Sequence, residues 1–340
     1  MSTVERPAAP SQEQAESPSL ERVFEAKDAP VGGQAVLEGV MMRGVSTWAV
    51  AVRKPLPDDA PPEQVEGEIE LTTSPLTSVL KRHRVLRLPV IRGVVALGES
   101  LAIGFRALMI SANAQLPEDE QEEITRGQWI GTFVVGIGLA IGLFFLLPAL
   151  VTDVSGVGSD NGPLFVFVEK LIRLTIFIGY LWLISRLPDL KRLFQYHGAE
   201  HKTISCYEAG LPLTPQNAQQ FSRFHPRCGT SFLLIVMIVS FFVLVPIGTP
   251  EWYILYPTRI LAVPLVAGLA FELIKWFGKN RRKRWAQILM WPGIQLQRLT
   301  TREPDYSQLA VAITAMEAVL AAEDLDSISE EEKAGLEVAA

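Results

Sequence analysis

Four long apolar stretches constrain the fold of this 340-residue chain more than any other feature. A helix needs about 20 largely apolar residues to cross the hydrocarbon core of a membrane, and each stretch reaches or comes close to that length. We therefore predict a mainly α-helical, polytopic membrane bundle of about four spans. The predicted spans are 129–151, 163–184, 231–247 and 252–277.

A fifth apolar stretch, 88–116, admits two interpretations. Arg92, Glu99 and Arg106 recur every seven residues, so they line one stripe of a helix whose other faces are apolar. Such a helix can lie on the membrane or pack on the bundle. If it crossed the membrane instead, it would bury three charges, which is expensive. The cost favours the amphipathic interpretation.

The positions of Lys and Arg predict the orientation of the spans. The loops 152–162 and 248–258 contain neither residue, whereas basic residues precede the first span, recur through 186–230 and follow the fourth span. Basic loops stay on the cytoplasmic side. We therefore predict a multi-pass protein of the plasma membrane, with both termini and the segment 186–230 in the cytoplasm.

The net charge and the cysteine positions also bear on the kinds of partner and on the compartment. The net charge is −6, so nothing argues for a basic nucleic-acid footprint. The predicted partners are the lipid bilayer, a small-molecule, lipid or peptide substrate, and further copies of the same chain in a homo-oligomer. Cys206 and Cys228 both fall in the predicted cytoplasmic segment, where a disulfide is not expected.

Composition divides the chain into segments. The first 30 residues are rich in Pro, Ala, Glu and Ser, which is typical of a disordered tail, and alternation in 47–53 and 67–73 predicts a small antiparallel sheet. The segments are 1–30 (tail), 31–75 (β-rich, cytoplasmic), 76–127 (amphipathic or membrane-associated helix), 128–278 (membrane bundle), 279–323 (cytoplasmic helices) and 324–340 (acidic tail).

Two cytoplasmic helices are predicted in more detail. One covers 189–209, with Asp189 able to cap its start and Gly210 ending it. The other covers 305–323, where apolar residues at helical spacing predict an amphipathic helix. Before the sheet, the glycines of 32–44 mark either a turn-rich strand start or a place where the backbone approaches another group closely.

The most chemically suggestive motif is His197-Gly-Ala-Glu200-His201. The two histidines are four residues apart, so they share one helix face and can hold one zinc ion. Glu200 is then a candidate catalytic base, and the H-x-x-E-H spacing is that of inverted zinc proteases. The alternative is a polar helix whose histidines hydrogen-bond their neighbours.

Further metal ligands have several candidate sources. Glu272 lies inside the fourth predicted span, where an acid is a functional candidate unless it pairs with Lys275 or Arg259. His225 and Cys228 precede the third span and can both ligate zinc, or they can belong to a segment that anchors the span at the membrane interface.

Other side chains have predicted roles outside the ligand set. Cys228 could instead be a nucleophile beside His225. Arg227, a candidate catalytic residue, and Arg43 could bind an anionic substrate or transition state. Cys206 lies off the motif face and is predicted to be a buried apolar residue.

Five segments resemble a known family. They read GGQAVLEGVMMRG (32–44), IRGVVALGESL (91–101), HGAEHKTISCYE (197–208), FHPRCGTSF (224–232) and AGLAFELIK (267–275). In order and spacing the chain resembles the uncharacterised bacterial YqhQ-like membrane proteins, defined by domain of unknown function 1385, from about residue 31 to 320. The resemblance implies a predicted metal-dependent enzyme that uses the same His/Glu motif, and it implies no particular substrate.

Three functions follow from these features. The first is a membrane-embedded zinc hydrolase in which His197 and His201 hold the metal with Glu272, His225 or Cys228. The second is a transporter or channel, whose pathway would be lined by intramembrane charged residues including Arg259 and Glu169. The third is a non-catalytic scaffold or assembly factor that binds partners through its strands, basic loops and C-terminal helix.

Overall fold

The computed structural model describes residues 31–57, 66–81, 83–116, 126–157, 161–226, 228–248, 251–280 and 283–323. The predicted tails 1–30 and 324–340, and the candidate catalytic residue Arg227, lie outside these residues. The described chain is mainly helical with one small antiparallel sheet near its N-terminal end, and both features were predicted. The boundaries between the predicted segments stay predictions.

The sheet is a four-stranded antiparallel meander. Its strands pair in chain order: β1 (Gly32–Val36), β2 (Gly39–Arg43), β3 (Thr47–Arg53) and β4 (Ile69–Pro75). The predicted strand 47–53 is confirmed, and the strand predicted at 67–73 begins two residues later. The glycine-rich segment before them supplies β1 and β2, joined by a tight turn in which Glu38 has a φ of 50°.

The helices follow the sheet in the chain, after two short 3₁₀ turns at Val79–Lys81 and Arg84–Arg87. They are α1 (Ile91–Ala114), α2 (Arg126–Ile141, continued by a π-helical turn at Gly142–Leu146 and by Leu147–Val154), α3 (Gly162–Ile184), α4 (Pro188–Glu208), α5 (Pro215–Gln219), α6 (Gly229–Leu244, extended by a 3₁₀ turn at Val245–Ile247), α7 (Trp252–Lys279), α8 (Arg284–Thr300) and α9 (Tyr306–Ala322).

Three helices within the described ranges are long and apolar enough to cross a membrane: Ile91–Ala114, Ile130–Val154 and Trp252–Phe277. The last two correspond to the first and fourth predicted spans. The second predicted span forms α3, a helix interrupted by three charged side chains. The third is an apolar helix, Phe232–Ile247, of fewer than 18 residues. The four-span arrangement therefore stays a prediction.

Helix α1 is apolar enough to cross a membrane, yet it also covers one face of the sheet. Ile103 and Ala107 in its C-terminal half belong to a buried cluster with Trp48. Just past the helix, the Gln115 side chain donates a hydrogen bond to the Arg53 carbonyl (2.9 Å). Its N-terminal half lies along α7. The helix packs on the sheet and is also long and apolar enough to cross a membrane, so the amphipathic interpretation of 88–116 stays a prediction.

The opposite face of the sheet is covered by α4 and α9. Helix α9 starts with a capping box formed by Asp305 and Gln308, and its end is held because Glu323 accepts hydrogen bonds from the backbone of Ser46 (2.7 Å) and Thr47 (2.9 Å). The sequence predicts an amphipathic helix here. The structure instead buries residues around most of its circumference, since the sheet, α4 and α5 all contact it.

Candidate metal centre

Helix α4 carries the His-x-x-Glu-His motif into the interior. It starts at Pro188, whose fixed φ suits a first helical turn, and it ends before Gly210, which has a φ of 71°. The sequence predicts Asp189 as the cap, but the N-cap residue is Leu187. Asp189 lies in the first turn, where a negative charge favours the positive end of the helix.

A glycine inside the motif brings α4 into backbone contact with the segment after α8. Gly198 lies so close to the Arg302 carbonyl oxygen that a side chain would not fit. The Arg302 N–H also donates to the Phe194 carbonyl (2.7 Å). The neighbouring residue, His197, is thereby placed beside the end of α8.

Both motif histidines are oriented by backbone carbonyls. His197 Nδ1 lies 2.8 Å from the Thr300 oxygen, and His201 Nδ1 lies 2.6 Å from the Arg223 oxygen. A carbonyl only accepts hydrogen bonds, so each Nδ1 carries a proton, and in the neutral ring Nε2 is the nitrogen with the lone pair. Ring positioning through the second nitrogen is the usual arrangement of metal-binding histidines.

Cys228 completes a group of three metal-ligand side chains. Its Sγ lies 3.3 Å from His197 Nε2, and the ligand atoms of His197, His201 and Cys228 are all within 4.8 Å of one another. Tetrahedral zinc holds N and S ligands about 3.3–3.6 Å apart. Shifts of about 1 Å or less would therefore enclose an ion at ordinary zinc bond lengths.

An unpartnered nitrogen also fits a metal. His201 is 1% exposed, and its Nε2 makes no hydrogen bond of normal geometry within the described chain, with the Cys228 thiol as a polar neighbour. Burial lowers the pKa of His201, which favours the neutral imidazole that binds metals. Cys228 directly precedes α6, so its sulfur lies near a helix N-terminus, where backbone N–H groups favour negative charge.

Glu200 lies beside this group and is buried, with 5% of its surface exposed. Burial raises the pKa of its carboxyl to about 8. Its Oε2 has no hydrogen-bond partner among the residues that the structure describes. The close approach of β1 is possible because residue 33 is glycine: a Cβ there would lie 2.8–2.9 Å from the Glu200 side chain. Of the two interpretations that the sequence allows for the glycines of 32–44, a close backbone approach thus applies at Gly33.

The motif opens onto a cavity of about 370 Å³ between the sheet, α1, α4, α6 and α7. His197, Glu200 and Cys228 line part of it, and Arg43 and Ser100 line another part. Arg43 donates to the Ser100 hydroxyl (2.7 Å) and lies 4.0 Å from a Glu99 oxygen. Most of the remaining lining is apolar, including Leu97, Leu101, Ile103, Phe194, Phe232 and Phe271.

The chain matches the family described as "Protein of unknown function (DUF1385)" over residues 88–322. It belongs to the DUF1385 family. It is also 32% identical over 306 residues to "Uncharacterized protein YqhQ" of Bacillus subtilis (strain 168), an alignment that covers 86% of this chain and 93% of that relative. The resemblance to the YqhQ-like proteins is thereby confirmed. No solved structure matches the chain.

In this DUF1385 protein, two of the ligands considered from the sequence have other partners. His225 Nε2 lies 3.3 Å from Glu208 Oε2, and the His225 backbone exchanges two hydrogen bonds with the Gln297 side chain (2.9 and 2.7 Å). Glu272 binds Arg92, with Oε1 2.6 Å from the arginine Nε. The structure therefore groups Cys228, and neither His225 nor Glu272, with the motif histidines.

The features that sequence reasoning missed are mostly backbone groups. The Thr300 and Arg223 carbonyls orient the two imidazoles, yet a carbonyl has no signature in a sequence. Gln297 was missed for another reason: it is a buried amide inside α8, and nothing near it in the chain marks its contact with His225. Cys206 is buried, as predicted, and burial raises the pKa of its thiol to about 11.

Proposed function

We propose that this DUF1385 protein is a membrane-associated metal-dependent hydrolase, with a zinc ion held by His197, His201 and Cys228. One observation carries the proposal. Both imidazoles donate Nδ1–H to backbone carbonyls, which leaves two Nε2 lone pairs beside a cysteine sulfur. Nitrogen and sulfur donors in this number suit a catalytic zinc site, which keeps only three protein ligands.

The protein's own residues supply the acid–base chemistry in this proposal. When bound, zinc supplies Lewis acidity that polarises a substrate carbonyl. Burial raises the pKa of Glu200 to about 8, and a cation beside it would lower that pKa. As a carboxylate, Glu200 accepts a proton from water in the cavity and returns it to the leaving group as the ester or amide bond breaks. Arg43, in the same cavity, binds an anionic part of the substrate.

The location of the site is part of the proposal. We place it at the cytoplasmic face of the plasma membrane, with both termini in the cytoplasm. Three apolar helices and the absence of Lys and Arg from the connections 155–161 and 248–251 support this placement. The substrate is then a lipid, a peptide or a small molecule whose ester or amide bond reaches the cavity from the membrane or the cytoplasm.

Metal content tests the proposal directly. Purified wild-type protein is expected to hold about one zinc ion per chain, measured by elemental analysis. His197→Ala, His201→Ala and Cys228→Ser should each lose the zinc. His83→Ala is the matched control, because His83 is exposed and lies outside the site. Equal zinc in His201→Ala and wild type would overturn the proposal.

A second candidate function is a cysteine-dependent hydrolase. Cys228 Sγ lies 3.3 Å from His197 Nε2, and His197 Nδ1 is held by the Thr300 carbonyl (2.8 Å). Cys228 as nucleophile, His197 as base and the Thr300 carbonyl as orienting group are thus linked by successive contacts. From the sequence alone, His225 is the histidine considered for this role, whereas the structure pairs Cys228 with His197.

Alkylation by iodoacetamide separates the two candidates, with buried Cys206 as an internal control. A metal-held Cys228 should react slowly until a chelator removes the zinc. A nucleophilic Cys228 should react in metal-free protein as purified, without any effect of chelator, and His197→Ala should slow the reaction.

A further inference from the structure

A second buried polar cluster lies inside the apolar helices. Glu169, Lys170 and Arg173 belong to α3, and Arg259 belongs to α7. None of the four residues is more than 8% exposed. Glu169 and Arg259 each lie seven residues past the first residue of their helix, which is about 10 Å along the helix axis. Charged groups in such apolar surroundings mark functional sites.

One carboxylate holds all three basic groups. Glu169 Oε1 accepts hydrogen bonds from Lys170 Nζ (2.9 Å) and Arg173 Nη2 (2.5 Å), and Oε2 accepts one from Arg259 Nε (3.0 Å). The cluster therefore contains one acid against three bases. Burying charge without a counter-charge is costly, so the surplus of positive charge attracts a further negative group.

The arginines also have donors to spare. Arg259 Nη1 and Nη2 and Arg173 Nε are buried and have no hydrogen-bond partner within the described part of the chain. Because Arg259 uses its Nε for Glu169, the Nη1–Nη2 end is left as a pair of parallel donors. That fork matches two oxygens of a phosphate or carboxylate.

A π-helical turn in α2 lies beside the same cluster. The π-helical turn at Gly142–Leu146 includes Phe145, whose ring lies 4.9 Å from the Arg173 guanidinium carbon. Single π turns inside α-helices occur frequently at functional sites. Three helices thus contribute to the surroundings of the unpartnered arginine donors.

We propose that an oxyanion of the phosphate type binds in this cluster, held by the Nη1–Nη2 fork of Arg259 and by Arg173. The phosphate belongs either to a free anion or to the headgroup of an anionic lipid, since the fork recognises the same oxygens in both. A plain ion-pair network between α3 and α7 would need no such ligand. The inference does not depend on the metal centre, so each can fail without the other.

Thermal unfolding of the full-length protein in uncharged detergent tests the inference. The probes are inorganic phosphate at constant ionic strength, balanced with chloride, and phosphatidylglycerol compared with phosphatidylcholine in the micelles. A ligand that binds only the folded state raises the unfolding temperature as its concentration increases. Stabilisation by phosphate identifies a free anion, and stabilisation by phosphatidylglycerol alone identifies a lipid headgroup.

The variants make the test specific. Arg259→Gln should abolish the stabilisation, whereas Arg92→Gln should keep it, because the Arg92 guanidinium is already held by Glu272. If Arg259→Gln does not fold, Arg259→Lys keeps the charge but lacks the fork, and it should raise the ligand concentration for half-maximal stabilisation at least tenfold. No stabilisation by either probe, or equal stabilisation in the Arg259 variant, would overturn the inference.

Discussion

The metal centre and the helix cluster differ in which atoms have no hydrogen-bond partner within the described residues. At the metal centre these atoms include the Nε2 lone pair of His201 and an oxygen of Glu200. In the apolar helices they are donors: the N–H groups of Arg259 and Arg173. A site with spare lone pairs is ready for a cation, and a site with spare N–H groups and surplus positive charge is ready for an anion.

The two clusters also differ in how they are held in place. Backbone carbonyls of Thr300 and Arg223 orient the imidazoles, so the metal centre depends on segments distant in the chain. The helix cluster depends on one side chain, Glu169, which binds all three bases. A single substitution should therefore disrupt the helix cluster as a whole, whereas substitutions at the metal centre should act ligand by ligand.

Removing the shared carboxylate should have the largest effect on stability. Glu169→Gln leaves three buried bases without a counter-charge and is expected to lower the free energy of unfolding by about 3–5 kcal/mol. Glu251→Gln, at an exposed position, is the control and should change little. Denaturant unfolding measures both. A loss below about 1 kcal/mol in Glu169→Gln would show that the cluster is not electrostatically coupled in the way described, since a broken buried pair costs more than this.

Substituting Gly33 tests the packing around the metal centre, and the expected loss of stability is smaller than for Glu169→Gln. Gly33→Ala places a methyl group 2.8–2.9 Å from the Glu200 side chain, so we expect a loss of about 1–3 kcal/mol from overpacking. Gly98→Ala is the matched control, because nothing lies within 4 Å of a Cβ at that helical position. It should gain about 0.5–1 kcal/mol. Equal stability changes in the two variants would contradict the close approach of β1 to α4.

Removing the ion pair of Glu272 and Arg92 should have the smallest effect on stability. Glu272→Gln should keep its zinc, because the structure pairs this carboxylate with Arg92 and places it outside the three-ligand group. The pair is partly exposed, so its loss should cost within about 1 kcal/mol. Elemental analysis and thermal unfolding of one preparation measure both quantities. Zinc lost from a stable Glu272→Gln protein would make Glu272 a ligand, which is one of the alternatives that the sequence allows.

Short sequence patterns predicted those parts of the fold and of the site that residues close together in the chain determine. Helical spacing placed His197, His201 and Glu200 together, and alternation located β3. The third member of the ligand group was not decidable in this way, because Cys228, His225 and Glu272 are brought to their partners by packing between distant helices. The charges of α3 were visible in the sequence as interruptions of an apolar stretch, but their partner Arg259 lies 90 residues further along the chain.

The burial of α9 illustrates the same limit in the fold. Its apolar residues at helical spacing predict one buried stripe, yet the sheet, α4 and α5 enclose more of the helix than that stripe. The small residues Ala312 and Ala315 between the larger ones permit this close packing, and both are fully buried. Small residues on a helix give little hydrophobic signal, so the second buried face goes unrecognised.

Cobalt substitution tests the central claim, that a cysteine and two histidines hold one metal ion, most directly. Cobalt(II) takes the place of zinc in such sites, and a thiolate ligand gives it a sulfur-to-metal charge-transfer absorption. We expect this absorption in wild type and in Cys206→Ser, and its loss in Cys228→Ser. Unchanged absorption in Cys228→Ser, or no cobalt bound by the wild-type protein, would contradict the account.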